Sequence, residues 1–243
     1  MEQHISSAFE RDLEGIQAQI MKMGGLIEAA IRDAAKSLAT HDVELAERVR
    51  DGDAAVDALE DMLNDEAARV IALRAPTAID LRVILSVMRM SANLERIGDL
   101  AKNMAKRTGI LIEMPEIGGA AKSLRRMSRE VEAMLKDALD AHIQRDEALA
   151  RDVIARDLDV DQLYNTLFRE LLTFMLEDPR NITPCMHLHF IAKNIERMGD
   201  HVTSIAEQVV FLTSGTRPGD VRAKSDRTSC DPAFSTPVAA RDV

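Results

Sequence analysis

Apolar residues recur at three- and four-residue steps over long, weakly punctuated stretches of the chain. In the first stretch, Phe9, Leu13, Ile16, Ile20, Met23 and Ile27 trace the one-sided stripe of a helix. The same reading predicts six helices, over roughly 6–39, 42–74, 78–112, 118–142, 146–177 and 183–213. Asp42 and Asp146 each stand just before a new apolar series, where a carboxylate caps free backbone N–H groups. Pro76, Pro115, Pro179 and Pro184 fall between the stretches. Long helices with short connections predict antiparallel bundles, hence an all-α fold. From Ser214 the periodicity stops and Gly, Pro, Ser, Thr, Arg and Asp take over. Residues 214–243 are therefore expected to form a disordered tail, with too little apolar surface to offset the entropy of ordering.

The chain repeats itself. Shifted by 104 residues, Asp33, Ala34, Asp42, Leu45, Ala46, Val49, Asp53, Val56, Asp57 and Leu59 meet Asp137, Ala138, Asp146, Leu149, Ala150, Val153, Asp157, Val160, Asp161 and Leu163. That is ten identities over 27 ungapped positions, enough to mark a duplication. Further on, at a shift of 101, Asn93-Leu94-Glu95-Arg96-Ile97-Gly98-Asp99 meets Asn194-Ile195-Glu196-Arg197-Met198-Gly199-Asp200. The change of shift falls near Pro76 and Pro179, where a connection absorbs length cheaply. Two homologous three-helix bundles are expected, over 1–113 and 114–213, related by an approximate twofold.

Composition narrows the function. The 243 residues carry 41 acidic and 31 basic side chains, a formal charge of −10. That balance argues against a nucleic-acid binder, which carries a basic surface. Two cysteines, Cys185 and Cys230, cannot make a disulfide framework, so a reducing compartment is the default. No signal peptide and no membrane span is read, which leads to the expectation of a cytoplasmic protein without direct membrane insertion. Aromatic residues make up 3% and there is no Trp, which suits helices better than a sandwich or barrel.

The candidate chemistry is a set of carboxylates. Glu95 and Asp99, four apart, share a helix face that Asn103 continues. Glu196, Asp200 and Ser204 repeat the pattern, with Glu207 close in angle. The preceding helices offer Asp53 with Asp57 and Asp157 with Asp161. Oxygen clusters of this kind suit hard or borderline cations such as Mg, Mn, Ca or Fe. Any one such pair is ordinary on a solvated helix; recurrence at equivalent places in both halves singles these out. Gly98 and Gly199 precede the Asp in each copy, and a mid-helix glycine costs about 1 kcal/mol against alanine. Each makes room for close helix packing, for an ion or partner, or for both. Arg96 and Arg197 either pair with carboxylates of the neighbouring helix or face a partner. His187, His189 and His201 have no ligand spacing and are assigned to packing or surface roles. The methionines are read as core filler.

Enzyme signatures are not found. The Glu-x-x-His of ferritin-like di-metal oxidases is missing, and so are phosphate-binding, dinucleotide, zinc-protease and nucleophile-elbow motifs. Ligands without an evident reaction favour a regulatory or scaffold protein with no organic cofactor.

The run Ala78-Ile79-Asp80-Leu81-Arg82 followed by Asn93–Asp99 resembles the third helix of PhoU-type phosphate-signalling regulators. Glu177-Asp178-Pro179-Arg180-Asn181-Ile182, then His187-Leu188 and Asn194–His201, is similar to the sixth helix of that family. The resemblance covers about residues 5–213. It implies two three-helix bundles, no enzymatic activity, a homodimer and a cytoplasmic negative regulator of phosphate uptake. Implied partners are the ATPase subunit of the phosphate ABC transporter and the sensor histidine kinase of the phosphate regulon. Implied too are divalent or iron clusters on Asp53, Asp57, Glu95, Asp99, Asn103, Asp157, Asp161, Glu196 and Asp200. Ser204 stands where the family has Asn, and Lys106 where it has a Glu that Glu207 retains; a lysine near such a site opposes a cation. A metal-binding bundle with a storage or enzymatic role is the competing expectation.

Overall fold

The computed structural model describes residues 2–216, with side chains from Phe9 onward. Six helices fill it: α1 (Glu2–Thr40), α2 (Val43–Arg74), α3 (Ala78–Leu111), α4 (Ala120–Gln144), α5 (Glu147–Glu177) and α6 (Ile182–Ser214). A 3-10 turn, Pro179–Asn181, leads into α6. The all-α reading and the six-helix order hold. Helix α6 runs through Ser214 and closes on Gly215 in the left-handed region, so Ser214 belongs to the helix. The rest of the expected tail, 217–243, lies outside the described residues.

The duplication reaches the backbone of the turns. Asp42 accepts from the Leu45 N–H at 2.9 Å, and Asp146 from the Leu149 N–H at 3.0 Å. Each cap follows a non-glycine residue in the left-handed region, His41 (φ 54°) and Arg145 (φ 55°). The cap N–H then donates back into the previous helix, Asp42 to the Ser37 carbonyl and Asp146 to the Ala141 carbonyl. Both turns are thus the same helix-ending hydrogen-bond pattern followed at once by a new N-cap.

Helices α1, α2 and α3 pack together, as do α4, α5 and α6; α1 also packs on α4 and α3 on α6. One contiguous cluster of buried apolar residues runs through both halves. The α3–α6 pair is antiparallel. Arg82 stacks on Phe211, Asn93 meets His201 at 2.9 Å, and Arg107 meets His187 at 3.0 Å, so partners descend α6 as they ascend α3. That register centres both copies of the Asn-x-Glu-Arg motif on the crossing, with Ile97 and Met198 fully buried there.

At one core position a leucine in the first half becomes a histidine in the second. Leu38 is buried in α1, and its repeat equivalent in α4 is His142, 1% exposed. Neither ring nitrogen of His142 has a hydrogen-bond partner. Burial pushes its pKa down to about 4, with the Arg145 charge adding to the effect.

Candidate functional site

The repeated carboxylates line two seams, α2/α3 in the first half and α5/α6 in the second. In the first, Asp53 is 5% exposed and its carboxylate is held by the Lys102 ammonium. Lys102 also lies 3.7 Å from Asp99. Gly98 lets this happen. A Cβ there would sit 3.0 Å from Ile27 Cδ1 and 3.5 Å from Asp53 Oδ1, so the buried carboxylate packs against bare backbone. The glycine therefore serves close packing, the first of its two sequence readings.

Charge crowding shows along this seam. The Asp57 carboxyl is pushed up, first by lost hydration and then by the Asp53 charge, with Lys102 opposing. Glu95 is pushed up by burial, against the pull of Arg96. Lys102 is pushed up by its hydrogen bond to Asp53, so it stays cationic. Arg96 turns back to Glu95 (3.5 Å) and Asp99 (3.8 Å) on its own helix rather than to α2.

The second seam keeps the glycine device and changes the cation. A Cβ on Gly199 would lie 3.1 Å from Asp157 Oδ1. Asp161 and Glu196 are both 5% exposed, and the register set by Gly199–Asp157 and Lys193–Tyr164 places them opposite each other. Lys193 reaches Glu196 Oε1 at 2.9 Å and lies over the Tyr164 ring. The position equivalent to Lys102 is Thr203, whose hydroxyl donates to the Gly199 carbonyl. Asp200 is half-buried, Ser204 donates to its carbonyl, and Arg197 is exposed.

Asn103 is exposed and does not join the first seam. Among the described residues, no group of three or more His, Cys, Asp or Glu side chains is gathered closely enough to hold a metal. In the first half an ammonium stands where a cation would bind Asp53. As arranged, the donor set does not fit the clusters that the resemblance implies.

The histidines pack as expected: His187 on Arg107, His189 against the Phe168, Tyr164 and Phe190 rings, His201 on Asn93. The lysines were the residues that sequence reading missed. Lys102 falls three residues after Asp99 and Lys193 three before Glu196, the spacing of helix neighbours, and that was the available signal.

Two like halves, each of three helices with an acidic seam closed by a lysine, define a tandem three-helix-bundle scaffold. Among the described residues no helix is long and apolar enough to cross a membrane. The PhoU domain matches twice, at residues 20–108 and 124–209, once in each half. The chain belongs to the PhoU family. A Rhizobium meliloti relative, called a phosphate-specific transport system accessory protein PhoU homolog, is 42% identical over 226 residues, covering 93% of this chain and 95% of its own. A Zymomonas mobilis relative of the same description is 45% identical over 222 residues, covering 91% and 93%. The crystal structure of PhoU from Pseudomonas aeruginosa superposes with a TM-score of 0.83 at 38% identity, covering 86% of this chain and all of that one.

Proposed function

We propose that this protein is a non-enzymatic accessory regulator of phosphate transport, restraining phosphate uptake and phosphate-regulon signalling from the cytoplasm. It acts by contact with the ATPase subunit of the phosphate ABC transporter and with the sensor histidine kinase, as a homodimer. The observation that carries this reading is the family match in both halves, together with relatives named as accessory proteins of phosphate-specific transport over nearly their whole length. The charge arrangement supports it. The buried carboxylate Asp53 is neutralised within the chain by Lys102, and Glu196 by Lys193. Asp99, with 39% of its side chain exposed, and exposed Arg197 remain at the surface for a protein partner.

The test is affinity capture of the tagged full chain from phosphate-replete cells, with mild crosslinking. Recovery of the transporter ATPase or the kinase, reduced by the Asp99→Ala/Asp200→Ala double variant at unchanged helicity, is the expected result. Neither protein retained, or retention indifferent to the double variant, would count against contact through these faces.

A further inference from the structure

The two halves differ at one place between the first and second helix of each bundle. In the second half, Arg156 of α5 lies across α4. Its guanidinium donates to Asp137 at 2.6 Å and to Glu130 at 3.0 and 3.1 Å, and stands 3.8 Å from Asp152. The side chain is 23% exposed, so the aliphatic stem is largely covered. By the 104-residue repeat, Arg156 corresponds to Gly52 and Asp137 to Asp33. Glu130 corresponds to Leu26 and Asp152 to Arg48.

The first half holds a cavity of about 220 Å³ at the matching place. Leu26 and Asp33 of α1 and Arg48, Val49, Gly52 and Asp53 of α2 line it. Gly52 leaves the cavity open: nothing stands within 4 Å of where its Cβ would be. The half that carries the arginine has its guanidinium bound there, and the half that lacks it has a hole with one of the two hydrogen-bonding carboxylates, the equivalent of Asp137, still in place. Asp33 is 38% exposed, and its nearest cation is Arg32 beside it at 3.9 Å, beyond hydrogen-bond reach. Asp53, the buried wall, is already neutralised by Lys102.

The geometry points to this cavity as an anchor pocket for an arginine side chain presented by a partner protein. The guanidinium pairs with Asp33 and the stem lies over Leu26 and Val49. A planar fork matches a carboxylate, and a long stem covers apolar surface while the head stays polar. Replacement of Glu130 by Leu26 trades a second carboxylate for that apolar shelf. Arg48 opposes the incoming charge weakly, because it is solvent-exposed and takes the place of Asp152, the most distant of the three carboxylates. The internal repeat thus supplies the template: the equivalent place in the second half holds an arginine.

The inference deepens the proposed regulatory contact and rests on that reading for the partner, but its test requires no partner. The probe is N-acetyl-arginine amide, titrated into the full chain and followed by backbone amide NMR. Neutral citrulline amide and apolar norleucine amide are the controls. Saturable shifts at Gly52, Ala29 and Gly98 in the millimolar range are expected with arginine and not with either control. Asp33→Asn should weaken them about tenfold, the worth of a charge-assisted hydrogen bond. Gly52→Arg, which copies the second half, should abolish them while keeping the fold. Absence of shifts, equal shifts with citrulline or norleucine, or shifts that survive Gly52→Arg would each overturn the assignment. If the arginine probe binds and transporter capture fails, the partner reading falls and the pocket stands. If capture succeeds and the probe does not bind, the reverse holds.

Discussion

Replacing His142 by leucine should stabilise the protein and remove the share of its acid sensitivity that this histidine carries. His142 is 1% exposed, both ring nitrogens are unpaired, and the repeat equivalent is Leu38. An unsatisfied buried polar group costs about 1–3 kcal/mol, so the His142→Leu variant should gain on the order of 1–2 kcal/mol at pH 7 after some loss to imperfect packing. The pH term follows separately. The folded pKa is about 4 against an ordinary value of 6.5. A histidine depressed in this way lends stability above the unfolded pKa and loses it as pH falls. The unfolded chain takes up the proton first, and the slope flattens only below the folded value. Between pH 7 and pH 5 this removes about 2 kcal/mol, and about 3 kcal/mol once both forms are protonated. Asp57 and Glu95, pushed up in the fold, act in the opposite direction on acidification. Only the difference between wild type and variant isolates His142. The assay is urea unfolding by circular dichroism at half-unit steps from pH 7.5 to 4.5. The stability difference should widen by about 2 kcal/mol between pH 7 and 5. A constant difference, or a variant less stable at pH 7, would show that the imidazole is satisfied or accessible, and the reasoning would fail.

Lys102→Met should cost about 2 kcal/mol, because it strands a carboxylate that is 5% exposed. Adding Asp53→Asn should recover much of the loss, and a double variant no better than the single in thermal melts would deny the pairing. Asp42→Ala and Asp146→Ala should each lower stability by about 1 kcal/mol in denaturant titrations, the worth of an N-cap, with near-equal effects because the two caps share geometry. Arg145→Gly should raise stability by up to about 1 kcal/mol, since φ of 55° strains a residue with a Cβ; a lower Tm would show that the arginine side chain compensates.

The helices were legible because each carries a long apolar stripe and because Asp42 and Asp146 mark where two of them begin. The duplication was legible because the seam carboxylates and the Gly-Asp step recur at constant shift. The lysines were harder. Lys102 and Lys106 both fall within about 20° of Glu95 on a helical projection, one on either side. Sequence reading singled out Lys106, yet it is exposed while Lys102 turns onto Asp53. Angle on one helix does not say which side the neighbouring helix approaches from; the α2/α3 register decides that. Arg156 escaped notice for the same reason, since its carboxylate partners lie 19 and 26 residues away on α4. His142 gave a signal that went unused: aligned on its repeat, it stands over a leucine.

The α3–α6 crossing joins two halves of one chain about a point where both copies of the same motif meet. Had the bundle remained a single unit pairing with its twin, every substitution would have been made on both sides of the axis at once. A glycine opening one pocket would have opened two, and both seams would have been closed by a lysine at the same position. Covalent linkage holds the halves together at high effective concentration whatever their affinity. It thereby releases each from the obligation to resemble the other. Gly52 in the place of Arg156, and Lys102 in the place of Thr203, are the freedom that this release allows: equivalent positions of the two halves carry different side chains and make different local surfaces.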